Sequence, residues 1–238
     1  NCDMHVNGFL NAQDPISTVN ALNSIGSSIF INENKVTLKK REIMFKDPDQ
    51  ELNLGNSGTG ARLLLGLISG LGLRLTMTGD SSLKKRPMSR VIEPLKMMGA
   101  KLSSDTGMLP ISTLGSKIIN NFEYEMPIAS AQVKSCLLLA ALSSRKNIKI
   151  IEPKITRDHT ERMIEFFGGE ILYENHQNSK TIQLNYSELE SKNSFDVPGD
   201  FSSAAFIIVA TIISKDSEVL IKNVGLNESR KGLLDVLL

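Results

Sequence analysis

An α/β repeat fold is predicted by three observations: three apolar helical patterns that end on glycine, three that open on small or hydroxyl residues, and a common period of about 72 residues relating the members of each set. The first set is ALNSIG, PLKMMG and MIEFFG, ending on Gly26, Gly99 and Gly168. Each glycine suits a left-handed helix C-cap and is followed by a short strand pattern, SSIFI, AKLSS or GEILY. The second set opens at Gly58 (GTGARLLLGL), Ser130 (SAQVKSCLLLAAL) and Ser202 (SSAAFIIVAT).

The repeating unit is therefore strand, small-residue helix, strand, amphipathic helix, and a strand pair joined by a polar turn, as in SSIFINENKVTL and GGEILYENHQNSKTIQL. Pro94, inside VIEPLKMMG, is expected to kink the second helix of its unit or delay its start. The register puts one small-residue helix before the first residue and one terminal glycine just past Leu238, so the sequence reads as cut at both ends. The Pro-Gly pair in DVPGDFSS interrupts regular structure. It divides residues 1–198, a first domain incomplete at its N-terminus, from 199–238, the start of a second.

With 238 residues and 41% hydrophobic side chains, the chain can build a sizeable core and reads as a soluble globular protein. Its 27 Lys and Arg balance 26 Asp and Glu, which argues against a nucleic-acid or membrane surface, so an acidic ligand must be met by local groups. Cys2 and Cys136 lie far apart without a CxxC or a paired His. Neither a disulfide framework nor a zinc site is indicated, and a reducing, cytoplasmic compartment fits best. The segment NCDMHVNGFLNAQDP has no apolar core of signal-peptide length. AAFIIVATII, residues 204–213, is too short to span a bilayer and reads as a buried helix.

The helix starts carry the candidate chemistry. A helix N-terminus exposes unpaired N–H groups with partial positive charge, and glycine lets an anion approach them closely. GNSGTGAR, residues 55–62, is either such a site or a plain Gly-rich turn, with Arg62 adding charge or stabilising the loop. In PIASAQVKS, Ser130, Gln132 and Lys134 surround a second start that either holds a phosphate or hydroxyl or is an ordinary N-cap. GDSSLKKRPMSR places Lys84, Lys85, Arg86 and Arg90 in a loop; with Pro87 at N1, Arg86 sits at a helix end and offers a two-pronged contact to carboxylate or phosphate. In ITRDHTER, Arg157 occupies the corresponding place, Asp158, Thr160 and Glu161 are expected to cap, and His159 is a surface or core histidine rather than a catalyst. No nucleophile triad, metal cluster, Walker loop or dinucleotide fingerprint stands out.

GNSGTGARLLLGL, GDSSLKKRPMSRVIEPLKMMGAKL, PIASAQVKSCLLLAAL, TRDHTERMI and VPGDFSSAAF, in this order, resemble the 5-enolpyruvylshikimate-3-phosphate synthases over essentially the whole chain. The resemblance implies an inside-out α/β fold, in which each of two domains holds three βαβαββ units with helices inside and sheets outside. It also implies transfer of the enolpyruvyl group from phosphoenolpyruvate to the 5-hydroxyl of shikimate 3-phosphate, with release of phosphate and without metal or organic cofactor. Ser130, Ala131, Gln132, Thr156 and Arg157 match shikimate 3-phosphate contacts; Gly58, Arg86 and Gln132 match the phosphoenolpyruvate side; Asn56, Thr59 and Arg62 match the loop shaping it. The partners implied are these two small molecules, with a monomeric complete enzyme and neither nucleic acid nor membrane. Ser-Ala-Gln with TRDHTE is similar to the subgroup that includes herbicide-tolerant members, whereas Gly58 is the small residue of sensitive ones. The family's Lys-Ser…Arg motif and its catalytic Asp and Glu have no counterpart in residues 1–238, so no catalytic residue is assigned. Two other readings are a UDP-N-acetylglucosamine enolpyruvyl transferase, whose loop Cys is missing from GDSSLKKRP, and a non-catalytic anion-binding module.

Overall fold

The fold was read from a computed structural model that describes residues 3–39, 45–118, 120–177 and 179–238; Cys2 lies outside them. β1 (Met4–Asn7), α1 (Gln13–Ser24) and the hairpin β2 (Ile29–Asn32) and β3 (Lys35–Leu38) come first. The next unit contains β4 (Leu52–Asn53), α2 (Gly58–Leu71), β5 (Arg74–Thr78), a 3₁₀ turn (Leu83–Lys85), α3 (Ser89–Met97), β6 (Leu102–Ser103) and β7 (Ile111–Leu114). A second contains β8 (Phe122–Glu125), α4 (Ala131–Ser144), β9 (Ile148–Glu152), α5 (His159–Phe166), β10 (Glu170–Asn175) and β11 (Lys180–Asn185). β12 (Ser194–Asp196), α6 (Phe201–Ile213) and α7 (Gly232–Leu237) follow.

The two full units build sheets of identical plan. The strand orders are β4-β5-β7-β6 and β8-β9-β11-β10, with the first pair parallel and the others antiparallel. The sheet of the N-terminal unit repeats the plan as β12-β1-β3-β2. Its first position is taken by β12, which runs parallel to β1 with Asn7 opposite Asp196. Asn7 Nδ2 donates to Asp196 Oδ1 at 2.8 Å, and Val197 N–H to Asn7 O at 2.9 Å.

α2 and α4 form the interior, whereas α6 and α7 are largely exposed. α2 and α4 are apolar around most of their circumference, as central helices must be, and bury residues from Ala61 through Ile68 and from Val133 through Ala141. α3 buries one face, Val91, Ile92, Pro94 and Leu95, and the strands alternate, as in β9, where Ile148, Ile150 and Glu152 point inward. One continuous apolar cluster joins these elements from Ala21 to Leu184. Gly26, Gly99 and Gly168 follow their helices at φ 113°, 102° and 79°, the left-handed conformation expected of them.

Three local expectations are corrected. α3 starts at Ser89, five residues before Pro94, so the proline does not delay it. Pro87 is not at N1: it precedes the capping residue Met88, because the 3₁₀ turn and the Met88 N–H to Gly107 O bond (2.8 Å) hold the chain extended until then. The apolar run at 204–213 is helical but not buried; Phe206 and Ile213 are 80% and 79% exposed, and only Phe201 and Ala204 of α6 are covered. An apolar run specifies helix by its length, whereas burial depends on what packs against it. Among the described residues no helix is long and apolar enough to cross a membrane.

Candidate active site

α2 and α4 begin side by side. Ser57 caps α2 by accepting from Gly60 N–H at 3.2 Å, and Ser130 caps α4 by accepting from Val133 N–H at 3.4 Å. The two starts are tied together by Gln132 Nε2 donating to Thr59 Oγ1 at 2.9 Å. The ordinary capping role expected as one alternative for Ser130 is thus real, and it leaves the hydroxyl hydrogen unused, since the oxygen acts as acceptor.

Around Gly58 the side chains interlock. Arg62 is buried and donates through Nη1 to Gly58 O at 3.1 Å and through Nη2 to Pro87 O at 3.0 Å, so it fastens the two loops rather than projecting charge. Burial first, then repulsion from Arg90 and Arg86, lowers its proton affinity. Arg86 donates to Asn56 Oδ1, while Asn56 Nδ2 donates to Asp80 Oδ2 at 2.7 Å. Asp80 Oδ1 in turn accepts the N–H groups of Leu83 (2.7 Å) and Ser82 (3.0 Å). The Leu83 amide and the Asn56 side chain hold the Asp80 carboxyl below its ordinary range. A Cβ on Gly58 would lie 2.8 Å from Arg86 Nη1 and 3.2 Å from Arg62 Nη1, so the missing side chain is what lets the Arg86 guanidinium pack directly against the start of α2. Lys84, Lys85 and Arg90 are exposed.

A pocket of about 360 Å³ adjoins this junction, and Ser130, Ala131, Gln132, Thr156, Arg157 and Arg230 are among the residues lining it. Five residues predicted to share a ligand therefore line one cavity. Arg230 was missed by sequence reasoning; it pairs with Ser202 and approaches Asp200 Oδ1 at 3.7 Å.

The polar residues around Arg157 are arranged differently from expectation. Lys134 is not at the site: it is 0% exposed and lies 3.1 Å from Glu152 Oε2 and 2.7 Å from Glu161 Oε1, both also wholly buried. Burial pushes the Glu161 carboxyl above its ordinary value, against the opposing pull of Lys134. Glu161 is therefore a core ion-pair partner and not a cap, and Thr160 donates to Ser135 Oγ at 2.7 Å. Asp158 occupies the N-cap position but makes no capping bond; it accepts from Arg162 Nε at 2.8 Å and Asn227 Nδ2 at 2.6 Å. His159 is exposed at the start of α5. Cys136 is buried in α4, its thiol pushed up to about 12 by desolvation, and so is inert.

The profile of the family described as EPSP synthase (3-phosphoshikimate 1-carboxyvinyltransferase) matches residues 2–238. The chain belongs to the EPSP synthase family. A 3-phosphoshikimate 1-carboxyvinyltransferase from Petrotoga mobilis is 45% identical over 98% of the chain and 54% of that protein. One from Oceanobacillus iheyensis is 42% identical over the same shares. The solved structure of EPSP synthase from Acinetobacter baumannii superposes with a TM-score of 0.87 at 38% identity, covering 99% of this chain and 53% of that one. The EPSP synthase fold is thereby shown, and the chain spans about half the length of the curated relatives it matches.

Proposed function

We propose that this chain forms one wall of the active site of an enzyme that moves the enolpyruvyl group of phosphoenolpyruvate to the 5-hydroxyl of shikimate 3-phosphate and releases phosphate. The observation that carries the reading is the link between two cationic stretches: the pocket lined by Ser130, Gln132 and Arg157, and the loop that packs Arg86 against Gly58, joined through the Gln132–Thr59 bond. Arg157 supplies a planar cation to the phosphate of shikimate 3-phosphate, and Ser130 supplies a hydroxyl hydrogen. Arg86, oriented by Asn56, meets the phosphoenolpyruvate carboxylate. The amide dipoles of α2 and α4 add partial positive charge where both anions meet.

Binding two anions side by side on fixed donors converts their encounter into a positioned reaction, and that is the part of catalysis these residues perform. Proton transfer is assigned to groups outside residues 1–238, since general acid–base groups must reach the reacting atoms. Residues 1–198 are read as one lobe of the cleft and 199–238 as the opening of the other. The complete enzyme is taken as monomeric, cytoplasmic and cofactor-free. The names borne by the relatives favour shikimate 3-phosphate over a UDP-sugar acceptor. Measuring phosphate release by the complete gene product beside purified 1–238 tests the reading. The complete product is expected to turn over only with both substrates, and 1–238 not at all. Sustained release by 1–238 would show that the proton-transfer groups are misplaced, and none by the complete product would favour a binding module.

A further inference from the structure

Glu152 ends β9 inside the core, where a carboxylate is costly unless it is paired and hydrogen-bonded. Three groups satisfy it. Lys134 Nζ lies 3.3 Å from Oε1 and 3.1 Å from Oε2, Thr156 N–H donates to Oε1 at 3.3 Å, and Thr156 Oγ1 donates to Oε2 at 2.7 Å. Lys134 is fixed from the other side by Glu161 of α5. The cluster thus ties together α4, which starts at the pocket, β9, α5 and the loop 153–158, which carries Arg157 into the same pocket.

This arrangement distinguishes two residues matched above to the same ligand. Against a carboxylate oxygen the Thr156 hydroxyl must be the donor, and it has one hydrogen to give. A phosphate dianion presents only acceptor oxygens, so Thr156 cannot serve Glu152 and a phosphate together. Ser130 is the reverse case, because its oxygen accepts from Val133 and its hydrogen remains available.

Resting on the proposed function, we propose that Thr156 is a positioning residue rather than a ligand donor: Glu152, locked in the core by Lys134, holds Thr156 by its amide and hydroxyl and so aims Arg157 at the phosphate of shikimate 3-phosphate. The loop then contributes one cation and no hydroxyl to the ligand.

The test is a double-mutant cycle in the complete gene product, with Thr156→Val, Glu152→Gln and the pair together, and KM read separately for shikimate 3-phosphate and phosphoenolpyruvate. Each single change should raise KM for shikimate 3-phosphate about tenfold, with the pair no worse than either alone and KM for phosphoenolpyruvate near wild type. Thr156→Ser should restore the wild-type value. Multiplying effects would mean that the Thr156 hydroxyl acts on the ligand independently of Glu152, and would overturn the proposal. So would a Thr156→Val enzyme indistinguishable from wild type, or an equal rise in both KM values. If Glu152→Gln does not fold, Glu152→Asp takes its place; it keeps the charge beside Lys134 while drawing the carboxylate back from Thr156, and the same outcomes apply. A wild-type protein whose rate does not saturate with shikimate 3-phosphate would instead defeat the proposed function.

Discussion

Gly66 of α2 lies directly against the backbone carbonyl of Cys136 in α4, with no space between them for a Cβ. One turn on, Gly70 meets Ser143 and the carbonyl of Ala140 in the same way. These two glycines set the separation of the central helices. Since Thr59 and Gln132 lie in the first turns of these helices, the glycines also set the distance between those two side chains.

Gly66→Ala should therefore force α2 and α4 apart and destabilise the chain by about 1–3 kcal/mol, the usual cost of overpacking. Gly232→Ala, where an added Cβ meets nothing within 4 Å, is the control. Denaturant melts of both variants check it, and equal stabilities would remove the close approach as a determinant of the fold.

Lys134→Met should cost about 3–5 kcal/mol, because it strands two carboxylates in the interior. Adding Glu161→Leu and Glu152→Gln should recover much of that loss, since an apolar or neutral replacement of a buried ion cluster is tolerated better than half of one. Urea midpoints of the single and triple variants decide it, and a triple variant less stable than the single would contradict it.

The repeat was legible because its marks are local. A left-handed glycine at a helix end and a hydroxyl at a helix start act through their own backbone, so Gly26, Gly99, Gly168 and Ser130 could be read directly. The Lys134 cluster was not, because its members come from α4, β9 and α5 and meet only in the fold. One signal pointed to it: a lysine one turn into an otherwise apolar helix has no solvated face to occupy. Glu152 in the apolar run IKIIE was the matching hint. Asp80 and Arg230 gave none, as each acts through residues distant in sequence.

Arg86→Ala should weaken phosphoenolpyruvate by roughly 1.5–3 kcal/mol, the worth of a charge-assisted pair. Asn56→Ala should weaken it less, since it removes only the group that orients Arg86. KM for phosphoenolpyruvate in the complete gene product measures both, and an unchanged value for Arg86→Ala refutes the assignment.

Gly58→Ala would place a methyl group 2.8 Å from Arg86 Nη1 and push the guanidinium aside. An inhibitor larger than phosphoenolpyruvate should lose more affinity than the substrate itself. Inhibition constants against KM give the comparison, and equal losses would remove Gly58 from the proposed phosphoenolpyruvate side.

Asp80→Ala should lower the melting temperature at neutral pH, with the gap to wild type closing in acid. The Asp80 carboxyl is held below its ordinary value by the Leu83 amide and by Asn56. Its stabilising contribution is therefore complete above the unfolded value and disappears as pH falls through the lower folded one. Melting curves from about pH 7 to pH 2 test this, and a gap independent of pH would show that the charge is irrelevant to the turn.

Pairing β1 with β12 has a consequence for biosynthesis. The strand that pairs with the outer edge of β1, β12, is synthesised only after the intervening units. At about 5–20 residues per second, that edge stays open for roughly 10–40 s. The two intact units, whose strands are all close neighbours in sequence, can fold while it waits. Chaperone capture of nascent chains should therefore concentrate on the segment from Met4 to Leu38 and end abruptly once Asp196 has cleared the exit tunnel.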